Sequence, residues 1–154
     1  MPSHRGFFDF TSPAGLRNKL HRDFDRLREN PVDQDVAFNF FVTAHSMIDW
    51  VYGKRKNPSA KAAALANPLL KACSHLANGA KHFQLDNPRH NSVSRTEATD
   101  GAFDPGAFDP GAFHVPRLIV HLDQPVSGHL GSSIDAVTLA AELIKFWDSS
   151  PDVS

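Results

Sequence analysis

Several things are scarce in this chain, and each scarcity removes a class of architecture or chemistry. A single cysteine, Cys73, stands among 154 residues, so no internal disulfide can form and a reducing cytoplasm is the expected location. The sequence contains no Cys-x-x-Cys pair, no Gly-x-x-x-x-Gly-Lys phosphate loop and no Gly-x-Ser-x-Gly nucleophile elbow. The His-x-x-x-His and Glu-x-x-His spacings of helical metal sites are absent as well. Neither a metal nor a cofactor is therefore expected. Charge of one sign is lacking too: 16 Lys and Arg oppose 17 Asp and Glu, a formal net charge of -1. No global field would draw such a protein onto DNA or an anionic membrane. No uninterrupted apolar run approaches the roughly 18 residues of a membrane span, and Met1-Pro2-Ser3-His4-Arg5 does not lead into the apolar run of a signal peptide. No membrane association is expected.

What is present is a 41% hydrophobic content in a length suited to one domain, 1–154. Ser12-Pro13 offers a cap and a first-turn proline, and Leu16, Leu20, Phe24 and Leu27 then follow on one helical face until Asn30-Pro31. A second helix is expected from about Asp33 through Tyr52, closed by Gly53, and apolar on nearly every side, which makes it the centre of a bundle. Asn57-Pro58 and Asn67-Pro68 each start a helix, the first to about 66 and the second to 79 or 83. In that second one, Leu69, Cys73, Leu76, Ala80 and Phe83 form a packing stripe, and Lys71, His75, Asn78 and His82 a polar one opposite. The polar stripe depends on Gly79, because a helix that stopped there would swing His82 away.

Residues 87–117 read as an insertion. Gly101-Ala102-Phe103-Asp104-Pro105 is repeated at 106–110 and begun again at Gly111-Ala112-Phe113, too short an array to bury its own core as a solenoid does. Phe103, Phe108 and Phe113 are expected to dock on the protein or on a second copy, since clustered exposed Phe is costly at about 25 cal/mol per Å². Arg117 to Leu122 reads as a strand with Asn91 to Thr96 as its antiparallel partner, giving a hairpin around the repeat. Ser132 and Ser133 offer caps for a last helix from about Asp135 to Asp148, with Leu139, Leu143 and Phe146 or Trp147 inward. The expected fold is thus mainly α, a four- to five-helix bundle with an inserted β-hairpin.

Nine histidines are the one compositional pointer to acid/base chemistry. His45 and Asp49, four apart, place a carboxylate within helical reach of an imidazole, half of an acid/base device or simply an internal polar pair. His75 and His82 are two turns apart, too far to share a metal on one helix.

The segments Phe40-Phe41-Val42-Thr43-Ala44-His45 through Asp49-Trp50 and Leu76-Ala77-Asn78-Gly79-Ala80-Lys81-His82-Phe83 resemble a group of uncharacterised bacterial proteins. Asn78-Gly79-Ala80-Lys81-His82 also resembles the polar-residue-to-His part of the motif of the HEPN superfamily, with Ala77 at the position of the motif's Arg. That superfamily comprises helical bundles that often act as metal-independent ribonucleases in toxin, phage-defence and CRISPR-associated systems. The resemblance implies a helical bundle, and the polar stripe of Lys71, His75, Asn78 and His82 together with the repeated Phe103, Phe108 and Phe113 points to an accessory role in which a protein or RNA partner is bound. If the resemblance extends to catalysis, His82 and His45 would share acid/base duties, Asp49 would orient His45, and Lys81 would balance phosphate charge. A structural homodimer joined through the Phe repeat is the third expectation.

Overall fold

The computed structural model describes residues 5–53, 57–82, 92–99, 116–123 and 131–153. Helix α1 spans Pro13–Glu29, with the Ser12 hydroxyl accepting from the Gly15 amide at 3.1 Å and Pro13 in the first turn. Helix α2, Gln34–Tyr52, is capped by the Asp33 carboxylate, which accepts from the amides of Asp35 and Val36. Gly53 ends it at φ 62, a left-handed conformation that a side chain would resist. Helices α3, Pro58–Ala66, and α4, Pro68–Lys81, each begin with an asparagine cap and a proline, as the sequence suggests.

The fold is mainly α, with a hairpin inserted after the fourth helix. Strands β1, Val93–Thr99, β2, Arg117–Leu122, and β3, Ser133–Asp135, form an antiparallel sheet in the order β1-β2-β3, and α5, Ala136–Ser149, follows. The β1–β2 register pairs Thr96 with Val120 and Thr99 with Arg117, shifted by an irregularity between Val93 and Arg95. Strand β3 departs from the sequence reading. Ser133 belongs to a strand and does not cap a helix; the cap is Asp135, whose carboxylate accepts from the Thr138 amide. Ile134 is 2% exposed opposite Val120, so one more buried side chain on the sheet decides against a longer helix.

Helix α2 touches α1, α3, α4 and α5 and is the centre of the bundle. Phe40, Ala44 and Met47 are fully buried, together with Leu20 and Leu27 of α1, Leu70 of α4, and Leu139, Leu143 and Trp147 of α5. Its wrapping is incomplete, however. Phe38 is 47% exposed, and Asn39 and Asp49 also face solvent.

A polar network ties α1 to α2. The buried Asp23 carboxylate takes Lys19 Nζ and Arg26 Nη1, the latter at 2.9 Å. The Thr43 hydroxyl lies 3.0 Å from Asp23 Oδ2 and 2.8 Å from the Asn39 carbonyl oxygen, and accepts from Lys19 Nζ at 3.0 Å. Every oxygen of the buried carboxylate therefore has a donor.

Cys73 is fully buried on α4, its Sγ 3.7 Å from the Phe41 carbonyl oxygen. Burial pushes its thiol pKa up to about 12, so almost no nucleophilic thiolate exists near neutral pH. A thiol reagent is expected to label Cys73 only as fast as the protein opens, which labelling rates across a urea series would show. Prompt stoichiometric labelling of the native protein would contradict the packing of α4.

Candidate functional site

The helix α4 stripe does not pack as its periodicity predicts. The buried positions are Leu69, Leu70, Ala72, Cys73 and Ala77, whereas Leu76 and Ala80 are only partly covered. The helix is rotated so that the 70–77 side meets the core, and the Leu76–Ala80 edge is left over. Phe41, a helical turn beyond the exposed Phe38, closes the facing wall from α2, with Ala37 and Gln34 above it at helical spacing. The hairpin supplies the third wall, through the register partners Thr96 with Val120 and Ala98 with Leu118. These three walls enclose a groove of about 250 Å³.

The groove exists because the hairpin is seated at one end only. Val93, Val120 and Leu122 are buried, whereas Thr96 and Ala98, nearer the hairpin tip, are exposed. The inner face of β1 thus leaves the helices progressively, and the apolar surfaces of Phe38, Leu76, Ala80 and Leu118 are uncovered between them. Glu97, also in the lining, accepts from His121 Nε2 and Arg95 Nη1, each at 3.0 Å. The His121 contact, with Arg95 adding to it, holds the Glu97 carboxyl below the usual range and therefore ionised. The exposed carboxylates of Asp33 and Asp35 stand beside Gln34 at the start of α2, so one end of an apolar groove is acidic.

The residues singled out from sequence are distributed differently. Helix α4 runs through Gly79, since no side chain forces a stop there, and ends at Lys81 with His82 as its cap at ψ 124. His82 is exposed at that cap, its amide still donating to the Asn78 carbonyl oxygen. His75 Nδ1 accepts from the Val93 amide at 3.4 Å, which fixes the start of β1 on α4 and places the ring proton of a neutral imidazole on Nε2. Asn78 donates to the Ser74 carbonyl oxygen at 2.8 Å. Asp49 accepts from Lys61 Nζ of α3 at 2.7 Å on the exposed side of α2. His45 itself is half-buried on α2, and Lys81 is exposed beside His82. Phe103, Phe108 and Phe113 lie outside the described residues. Among the described residues no cluster of three or more His, Cys, Asp and Glu comes together, and no helix is long and apolar enough to cross a membrane.

A second surface went unread in the sequence. Gly6 to Phe10 form a tight turn in which Phe7 and Phe10 exchange two 2.9 Å backbone hydrogen bonds. Phe8 sits at φ 51, a region a bulky side chain rarely enters, and Gly6 at φ 84, where an added Cβ would lie 2.0 Å from the Phe10 carbonyl oxygen. The turn holds Phe7 and Phe8 in edge-to-face contact, centroids 4.6 Å apart, yet 62% and 79% exposed. Phe10 packs under Arg22 of α1. The signal was present: Gly6-Phe7-Phe8-Asp9 shares Gly-x-Phe-Asp with 101–104 and 106–109.

No protein-family model matches this chain, and no curated protein or solved structure matches it.

Proposed function

We propose that this protein is a binding module that receives an aromatic segment of a protein partner in the groove between α2, α4 and the hairpin. The observation that carries the reading is Phe38, 47% exposed on the central helix above a groove whose other walls are also apolar. Leaving large apolar surface in water is unfavourable by about 25 cal/mol per Å², and a partner side chain entering the groove recovers it. The exposed carboxylates of Asp33 and Asp35, beside Gln34 at one end of the groove, favour a segment with a basic residue next to its aromatic one. This is an accessory role of the kind the HEPN resemblance implies, in a cytoplasmic setting.

The ribonuclease alternative has His45 oriented by Asp49, a carboxylate that also accepts from Lys61 of α3. It also draws on the exposed pair Lys81 and His82 at the end of α4.

Selection from a displayed random-peptide library tests the reading. Enriched peptides should carry Phe, Trp or Leu beside Lys or Arg, and should shift the amide resonances of Phe38, Ala80 and Leu118. Ala80→Trp, which fills the groove from α4, should weaken them at least tenfold while leaving the melting temperature within a few degrees. Peptides that ignore Ala80→Trp would overturn the groove. Resonance shifts at Lys71, Asn78 and Lys81 with an RNA oligonucleotide, and none with any peptide, would replace the reading by RNA binding.

A further inference from the structure

Among the described residues the large exposed hydrophobics are Phe7, Phe8, Val32 and Phe38, and they fall into two patches of opposite shape. Phe7 and Phe8 form a projecting knob on a strained turn, whereas Phe38 borders the groove, with Val32 close by in sequence. The groove has no lining residue from the N-terminal turn or from α1, so knob and hole are separate surfaces of one chain. Their charges are opposite as well. The exposed Arg5 precedes the knob and Arg22 lies over the Phe10 ring, with Asp9 the one acidic residue in the turn. At the α2 end of the groove the exposed carboxylates of Asp33 and Asp35 stand on either side of the lining residue Gln34 in sequence.

We propose that the Phe7–Phe8 turn of one copy seats in the groove of a second copy, so that the chain associates with itself head to tail. This names the partner for the groove and rests on the binding reading above. A knob meeting a hole elsewhere on the molecule is a heterologous contact, which leaves one free knob and one free groove after each addition and does not close at two copies. Two phenylalanines bury about 150–250 Å² each, well below the roughly 1,200–2,000 Å² of a standard interface. The association is accordingly weak, with a Kd on the order of 0.1 mM. The strain at Phe8 fits this use, since a preformed turn loses little freedom on docking.

The test uses the full chain and two complementary variants. Phe7→Ser with Phe8→Gly removes the knob and keeps the positive φ; Ala80→Trp, with Phe38→Ser as a second choice, removes the groove. By sedimentation, wild type should show an average mass that climbs with concentration, and each variant alone should stay at the mass of one chain. An equimolar mixture of the two variants should form a pair and stop there, because it contains one working knob and one working groove. Wild type that stays monomeric well above that Kd would overturn the proposal, as would a variant that still assembles or a mixture that never pairs. Loss of assembly in Phe103→Ser, Phe108→Ser, Phe113→Ser, with assembly retained in the knob variant, would overturn it in favour of the repeat. Library peptides that bind the groove of a monomeric protein would leave the binding reading standing and remove only the self-association.

Discussion

Trp147→Ala is expected to lower the free energy of unfolding by about 3–5 kcal/mol, a large part of the roughly 5–15 kcal/mol that holds a domain of ordinary stability folded. The indole is 0% exposed on α5, with Phe146 edge-on at 4.9 Å and Tyr52 of α2 at 6.5 Å between ring centroids. Truncation would open a cavity where α5 meets the central helix and leave Tyr52 without its aromatic neighbour. Tyr52 also reaches the chain end, donating to Asp152 Oδ2 at 3.1 Å, and burial with that carboxylate raises its phenol pKa, so it remains a donor well into alkaline pH. Urea titration would give the loss as a lower midpoint at an unchanged slope. Trp147→Phe separates the two parts of the effect. Among the described residues the indole N–H finds no acceptor, and a buried donor left unpaired costs about 1–3 kcal/mol. Phenylalanine removes that donor along with some volume, so its cost should fall well below that of alanine. Equal losses for the two variants would mean that the N–H contributes to stability in a way its surroundings do not explain.

The helices were legible because their signals are local. Ser12-Pro13, Asn57-Pro58 and Asn67-Pro68 write the starts, and the starts fall where they should. The hairpin was legible from the apolar run at 118–120, with its β-branched pair Ile119 and Val120. The third strand was not: Ser133–Asp135 is three residues long, and its pairing with β2 follows from the burial of Ile134, which no local pattern encodes. The groove was hidden for a related reason. Leu76 and Ala80 lie at core spacing, and period alone cannot tell whether the apolar edge of a helix meets a neighbour or faces a gap. That depends on the tilt of the hairpin, set by the seating of Val93, Val120 and Leu122 against the helices. Asp49 shows the same limit on the polar side, since four-residue spacing puts it within helical reach of His45 but cannot announce the lysine that reaches its carboxylate from another helix.

Lys19→Met should cost about 2–3 kcal/mol, below the 3–5 of a fully buried pair because Arg26 still holds one oxygen of Asp23. The carboxylate is 5% exposed and its lysine 33%, so removing the ammonium leaves a buried negative charge with one solvated partner. The penalty belongs to the unpaired charge and not to the absence of an ion pair. Lys19→Met, Asp23→Leu and Thr43→Val together should therefore recover most of the loss, because a wholly apolar contact carries no desolvation cost. A triple variant as unstable as the sum of its single changes would show instead that the network stabilises the fold beyond its charges. The consequence extends to the groove. Thr43 and Phe40 face α1, while Phe38 and Phe41 face the hairpin, so the Asp23 to Thr43 contact fixes the rotation of α2 about its own axis. With an apolar contact in its place that rotation is less sharply specified. The triple variant, though restored in urea, should then bind groove peptides more weakly than wild type, and undiminished binding would mean that packing around Phe40 and Met47 sets the helix's orientation unaided.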